Sequence, residues 1–397
     1  MSWTIYGNKY DLSEFIDKHP GGKDILVKTK DMGDVTALFE SYHAFSNKSL
    51  ITESLEKYKI ESSSEITEIY DFTTYKKLND LIKEQYKFKR SNIKAPLTKI
   101  CYITFSLISY AFVTAYCIKL QANLIKIPLG FLLGFIWISL GFNVMHDASH
   151  YALFYTPRYN NYASMFWNSF SLWNHSMWLY HHVFYHHSFT NTINDSDIYH
   201  IMPLFRKHHS QKQGWLPPYL YPLVAFTIPG AFYGQALMYM FLGTLMGIVF
   251  VSPLKVPMNC YSLLDGFIFS IRILLFYEMG LWCSVSHMIA CSVFYKANVI
   301  GDHDTFEVSV TNHYEGKDWL RLQVQNSGNF KTDSSLYTYV FGGINYQIEH
   351  HLFPNMSNCF YSQISPTVQQ FCKDSNFPYV VHKYSLEVFQ EYYKNNI

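Results

Sequence analysis

Two long uncharged runs near the middle of the chain set its organisation. Residues 100–118 carry no charge, and after Lys119 and Lys126 a second uncharged run covers 127–145. A helix needs about 20 residues to cross a hydrocarbon core of ~30 Å, so each run is long enough to span, and the short join makes them a hairpin. The cluster Lys83, Lys87, Lys89, Arg90, Lys94 and Lys99 precedes the first run and places the N-terminus in the cytosol by the positive-inside rule. The next uncharged stretch, 214–254, is too long for one helix and is broken by Pro217, Pro218, Pro222 and Pro229. Its first half is expected at the membrane interface, and residues 231–252 as a third span. A fourth span is expected over 263–286, although Asp265, Arg272 and Glu278 interrupt it. Ionisable groups at that depth need a partner or a protein-facing position. Four spans return the chain to the cytosol near His287 and leave both termini there. The pattern predicts a mainly α, polytopic membrane bundle of about four transmembrane helices (residues 100–397). It is preceded by a small soluble module (1–62) and a basic connector (63–99).

Composition sharpens this picture. Charged residues make up 15% of the chain, below the ~25% of ordinary globular proteins, and aromatics reach 18%. Lys plus Arg (31) nearly balances Asp plus Glu (30), so no basic excess is available for a nucleic-acid partner. The seven cysteines (Cys101, Cys117, Cys260, Cys283, Cys291, Cys359 and Cys372) form no CxxC pair. That argues for a reducing, cytosol-facing protein without a thiolate metal site. The polar N-terminus lacks the pattern of a cleavable signal peptide.

Histidine usage points to metal. There are 18 histidines, and three clusters lie just outside the apolar runs. His146 and His150 (HDASH) follow the second run, and His182, His186 and His187 (HHVFYHH) come next. Gln347, His350 and His351 (QIEHH) lie after the last span. Residues three or four apart share a helix face, so each cluster can aim several side chains at one point. Neutral imidazole is a natural ligand for iron, copper or zinc. Zinc is satisfied by four ligands, whereas seven histidines and a glutamine are enough for two metal ions. A lone HxxxH on a helix is usually a surface feature; three such clusters on one membrane face are not. His287, at the cytosolic end of the expected fourth span, is a further ligand candidate. Asp147, Glu349 and Asp318 are candidate acceptors behind the ligands. His175, His181, His200, His208, His209, His303, His313 and His382 are expected as polar surface or supporting groups.

HDASH, HHVFYHHSFTN (181–191) and GGINYQIEHHLFP (342–354) resemble, in order, the three histidine boxes of the membrane fatty acid desaturases. DWLRLQVQNSGNF (318–330) is similar to the segment preceding the third box, and the likeness covers roughly residues 95–360. The resemblance implies a catalytic centre of two non-haem iron ions held by His146, His150, His182, His186, His187, His350 and His351. It adds His287 by its place after the last span. Gln347 in place of the first histidine of the third box is typical of the front-end subgroup. That implies Δ5 or Δ6 desaturation of a polyunsaturated acyl chain on coenzyme A or phospholipid, with O2, at the endoplasmic reticulum membrane. Phe142, Trp167, Phe170 and Trp178 are candidate acyl-lining residues. Sphingoid-base Δ8 desaturases and fatty acid hydroxylases of the same di-iron class are the nearest alternatives.

The N-terminal module carries His19-Pro20-Gly21-Gly22 and, further on, His43 in LFESYHAF. Proline and paired glycines make a tight turn that lets backbone approach a bulky group while fixing the histidine. Two histidines from opposite walls can clamp a haem iron axially, which favours electron transfer over oxygen binding. The module resembles a cytochrome b5 domain, an α+β fold whose HPGG histidine and second axial histidine match His19 and His43. Its opening strand and helix are expected to be shortened. This resemblance implies bound haem b, reduced by a membrane-bound reductase that uses a nicotinamide cofactor. A membrane-anchored haem carrier would leave the seven clustered histidines without a role. A metal transporter would place polar groups inside the spans rather than beside them.

Overall fold

The computed structural model describes residues 2–61, 70–199 and 262–395, apart from 384, and only short pieces of 200–261. Strands β1 (Trp3–Ile5), β2 (Asn8–Tyr10) and β3 (Lys59–Glu61) form a small antiparallel sheet with Trp3 opposite Tyr10. Where a shortened opening was expected, β1 anchors the module, because Trp3 is buried with Ile5, Tyr10 and Leu12. Helices α1 (Lys23–Thr29), α2 (Thr36–Tyr42) and α3 (Lys48–Glu56) complete this α+β unit. Asn47 caps α3 by accepting from the backbone N–H groups of Ser49 and Leu50.

The unit is docked on the rest of the protein. Leu38 from α2 joins Leu179, Val183 and Phe184 in one apolar cluster, with Ile25, Met32 and Tyr42 packed against it. Around this seam Lys28 Nζ donates to Ser176 Oγ (2.8 Å) and Asn161 Nδ2 to Asp24 Oδ2 (2.6 Å). Arg90 of the connector donates to the Pro20 carbonyl (2.6 Å). Helix α4 (Thr73–Tyr86) belongs to the connector and buries Tyr75, Leu78 and Ile82 against Trp319 and Phe353.

Helices α5 (Leu97–Lys119) and α6 (Asn123–Leu140) form the expected hairpin. Two helical stretches, Leu97–Lys119 and Asn123–Ser149, are long and apolar enough to cross a membrane among the described residues. Their sidedness is inverted relative to a water-soluble core. Phe105, Ile108 and Phe112 of α5 are 64–73% exposed, while Ser106 and Thr114 are buried. Large apolar groups on the outside and small polar ones inside suit a lipid-facing helix.

The span expected over 231–252 lies outside the described residues, save that Ile248–Val251 forms a strand paired with Leu254–Pro257. The expectation for 263–286 needs correction. Gly280, at φ +83°, ends a helix at Met279, and a second helix, Leu281–Val299, follows at once. That second helix packs on α6 at very short range. A Cβ at Gly130 would meet Cys283 O at 2.2 Å, and one at Gly134 would meet His287 O at 2.6 Å. The second helix of this pair therefore ends near residue 300, not at His287. Beyond it, a cap built from Trp319–Gln325, Gln347–Leu352 and Tyr361–Asp374 closes over the ends of the long helices.

Candidate metal and haem centres

Both leading histidine boxes sit where α-helix loosens into wider π-helical turns, over Gly141–His146 and Leu179–His186. Such turns are uncommon and cluster at functional sites, because one extra residue per turn re-aims the side chains that follow. Here they direct the boxes toward the short helix Gln347–Leu352, whose every residue is buried.

The boxes do not each converge on one point, as helical spacing alone predicts; each of the last two divides between two centres. His146, His150, His182 and His350 present ring nitrogens that all lie within 4.8 Å of one another, and His186, His303 and His351 make a second such group. His146 Nε2 is 3.1 Å from His182 Nε2, and His186 Nε2 is 3.2 Å from His303 Nε2. His187 stands between the groups, its ring 4.6 Å from that of His350 and 4.2 Å from that of His351. Gln347 Nε2 lies 3.0 Å from His303 Nε2 and 3.2 Å from His351 Nε2.

These nitrogens are poised as ligands rather than as members of a hydrogen-bond network. Both nitrogens of His187, Nε2 of His150 and of His350, and Oε1 of Gln347 are buried without a hydrogen-bond partner. Such orphans are costly unless something else satisfies them. The opposite nitrogens are held. His150 Nδ1 meets Tyr42 Oη (2.7 Å), His186 Nδ1 the Asp195 carboxylate (2.9 Å), and His303 Nδ1 the Asn326 carbonyl (2.7 Å). His350 Nδ1 faces Tyr361 Oη (3.1 Å), and His351 Nδ1 faces Gln323 Oε1 (2.9 Å). Pinning Nδ1 fixes the tautomer and turns Nε2 to the metal. Burial, reinforced by the neighbouring imidazoles, pushes His182, His187, His350 and His351 well below the usual imidazole range, and His303 to about 4. All five are therefore neutral at physiological pH, which is the metal-binding form.

Two sequence expectations change here. His287 lies apart from both groups, in the helix packed on α6, where Arg272 donates to its Nε2 (2.6 Å). His303, expected as a polar surface or supporting group, instead lies with His186 and His351 in the second group. The signal for His303 was Gly280: a helix restarted there runs to residue 299 and leads into the Gly301-Asp302-His303-Asp304 turn, which brings His303 to His186 and His351. The expected acceptors differ as well. Asp147 pairs with Lys99, Glu349 accepts from Asn329 and Tyr379, and Asp318 caps the helix that begins at Trp319. The carboxylate hydrogen-bonded behind His186 is that of Asp195.

In the N-terminal unit, His19 and His43 face each other with ring centroids 6.2 Å apart, room for one metal ion between them. His19 Nδ1 donates to Gly22 O (3.0 Å) and His43 Nδ1 to Phe39 O (2.7 Å), so both Nε2 atoms turn inward. They open on a cavity of about 890 Å³ lined by Phe15, Val35, Phe39 and Leu55, and closed by Arg90 and Lys94 of the connector. Its apolar walls, cationic rim and paired inward nitrogens fit a haem with its carboxylates toward the connector. A Cβ on Gly21 would come 2.6 Å from His19 Cε1, which is why glycine follows the proline. Beside His146, Trp137, Phe142, Trp167 and Trp178 line a narrow apolar slot of about 50 Å³. Phe170, also expected as a lining residue, instead packs under Arg272.

Haem-binding geometry joined to a double histidine centre beside apolar helices defines a membrane-associated, oxygen-using redox enzyme. The chain belongs to the fatty acid desaturase family, whose model matches residues 123–383, and residues 2–63 match the cytochrome b5-like heme/steroid binding domain. Enzymes of this family are di-iron, oxygen-dependent oxidoreductases acting on fatty acyl substrates. The chain is 25% identical to an acyl-lipid (8-3)-desaturase of Mortierella alpina, over 95% of this chain and 89% of that one. It is 27% identical to a probable Delta(5) fatty acid desaturase C of Dictyostelium discoideum, over 99% and 90%. Identity to a Delta(8)-fatty-acid desaturase of Borago officinalis is 24%, over 95% and 85%.

Proposed function

We propose that this protein is a front-end acyl desaturase that inserts a cis double bond at Δ5 or Δ6 of a polyunsaturated acyl chain. The observation that carries the reading is Gln347, the front-end replacement in the third box, packed among His303 and His351. One of the relatives cited above bears a Delta(5) name, and its likeness runs almost the full chain.

In this reading His146, His150, His182 and His350 hold one iron, and His186, His303 and His351 the other. His187 and Gln347 lie between and beside them. The iron pair, when bound, supplies oxygen activation and the removal of two hydrogens from neighbouring methylenes, which no side chain can perform. The chain's own residues supply position and dryness. Trp137, Phe142, Trp167 and Trp178 line the slot that guides the acyl chain to His146 and exclude water from it. His19 and His43 would hold a haem, which would supply one-electron transfer from a nicotinamide-dependent reductase. Leu263–Met279 and Leu281–Val299 make the second membrane hairpin. Leu263, Phe267, Ile273, Leu274 and Tyr277 on its first helix are exposed, as lipid contact requires. Four spans then place both termini on the cytosolic face of the endoplasmic reticulum.

The test is expression in yeast fed defined polyunsaturated acids, with double bonds located by gas chromatography–mass spectrometry. A new double bond on the carboxyl side of an existing one, at carbon 5 or 6, is expected. A bond at carbon 8, a hydroxyl group, or change confined to sphingoid bases would overturn the Δ5/Δ6 reading. His350→Ala is expected to abolish the product with the haem spectrum intact.

A further inference from the structure

The haem cavity and the histidine centre meet at the C-terminal end of α2, at its last residue Tyr42 and the capping His43. His43 and its neighbour in sequence, Tyr42, both line the haem cavity, and the Tyr42 phenol oxygen lies 2.7 Å from His150 Nδ1. The opposite nitrogen of His150 is one of the buried orphans directed at the first histidine group. With that nitrogen on a metal, Nδ1 carries the proton and donates to the phenol oxygen. The Tyr42 and His150 rings lie nearly parallel, at 21° with centroids 6.4 Å apart. Asn355, four residues beyond His351, donates to the Tyr42 carbonyl (2.6 Å), holding the same peptide from the side of the third box. Packing of Leu38 and Tyr42 against Val183 and Phe184 leaves this helix little freedom to turn.

We propose that Tyr42 is the electron bridge between the two centres, through the covalent path His43–Tyr42 and a single hydrogen bond to His150. The proposal rests on the desaturase reading above. A covalent route broken by one short hydrogen bond couples two centres far better than a gap of equal length. Docking of the two units also removes the need for a diffusional encounter. Each passage oxidises one ferrous haem to ferric and adds one electron to the iron pair. Two passages and two protons from solvent, with the two hydrogens taken from the acyl chain, reduce one O2 to two waters. A nicotinamide-dependent reductase restores the haem. Tyr42 keeps its proton throughout, so no proton transfer is asked of it.

The experiment uses the full-length protein in lipid nanodiscs, loaded with haem and iron. Stopped-flow absorbance follows reoxidation of the reduced haem on mixing with O2 and an acyl substrate. Tyr42→Phe keeps the ring and removes the hydrogen-bonding oxygen. It is expected to slow haem reoxidation, because the hydrogen-bonded step to His150 becomes a gap. The haem spectrum and midpoint potential should stay unchanged. A second arm pre-reduces the iron with dithionite and measures product from a single turnover, which needs no electron from haem. Normal yield there for Tyr42→Phe, with slow haem reoxidation, supports the bridge. An unchanged reoxidation rate overturns it, and so does an equal loss in both arms, which would make Tyr42 only a brace for His150. Absence of product from the unmodified protein in the second arm would sink the desaturase reading, and the bridge with it. Should Tyr42→Phe fail to retain iron, Asn355→Ala loosens the Tyr42 peptide without touching either histidine. Slow reoxidation with normal single-turnover yield is again expected, and an unchanged rate overturns the bridge.

Discussion

Lys99 in the first turn of α5 meets Asp147 across 2.5 Å, with the two side chains only 1% and 3% exposed. Asp147 stands between His146 and the rest of the first box, and its other oxygen accepts from Asn358 Nδ2 (2.9 Å). The pair ties the apolar α5–α6 hairpin, the first box and the segment after the third box to one point. Removing one partner strands a buried charge, at a cost of about 3–5 kcal/mol. Lys99→Met is therefore expected to lower the thermal midpoint in detergent strongly and to reduce bound iron. Lys99→Met with Asp147→Leu should recover much of the stability, leaving the ~1–3 kcal/mol cost of the unsatisfied Asn358 donor. A double variant no more stable than the single one would show that the pair does not act as a unit.

The contrast between His303 and His287 gives the sharpest check on the metal assignment. His303→Ala removes a nitrogen 3.2 Å from His186 Nε2 and 3.1 Å from His351 Nε2. Iron analysis should find one metal lost of two, and product formation should cease. His287→Ala instead leaves Arg272 with Tyr110 (2.6 Å) and the faces of Trp137 and Phe276. That variant should keep both irons and lose stability. Full iron content in His303→Ala would return the search for the missing ligand to the residues near 287.

What the sequence made legible follows from which interactions are local. The first hairpin and the HPGG turn are set by residues a few positions apart, and both are found where expected. His303 was hidden because its role depends on where a helix ends. One glycine at positive φ, Gly280, moves that end by about a dozen residues from the expected position. The division of each later box between two centres was hidden too, since it needs the π-helical turns that i, i+4 spacing does not announce. Asp195 and Tyr42 are distant or unremarkable in sequence. Only the docking of α2 against Leu179–His186 brings the Tyr42 phenol to His150.

Haem retention should depend on Gly21 and Gly22 in separable ways. Gly21→Ala pushes a methyl group to 2.6 Å from His19 Cε1, so the ring must turn and its Nε2 leaves the line to His43. Haem content should fall while bound iron stays constant. Gly22 adopts φ +93°, ψ 151°, a conformation open mainly to glycine, and its Cβ would sit 3.0 Å from Pro157 Cβ across the docking seam. Gly22→Ala adds ~1–3 kcal/mol of backbone strain and disturbs that contact. It should therefore raise protease sensitivity of the connector as well as release haem. Haem affinity unchanged in both variants would remove the HPGG turn from the haem site.

Asp195 offers a way to weaken one centre without touching a ligand. Its carboxylate receives His186 Nδ1 at 2.9 Å, and it also accepts from the backbone N–H groups of Asn191 (2.6 Å) and Asp197 (2.8 Å). It thus fixes the loop and the ring together. The negative charge makes His186 a stronger donor toward the metal and favours the tautomer with Nε2 free. Asp195→Asn retains the size and much of the loop bonding but loses the charge. Iron titration should show one site about 10–100-fold weaker and the other unchanged, because His146, His150, His182 and His350 do not use this carboxylate. Asp195→Ala should weaken the same site further and loosen the loop, visible as faster amide exchange over 190–197. Equal weakening of both irons in Asp195→Asn would mean that the two groups of histidines bind metal as one unit, through His187, rather than as two sites.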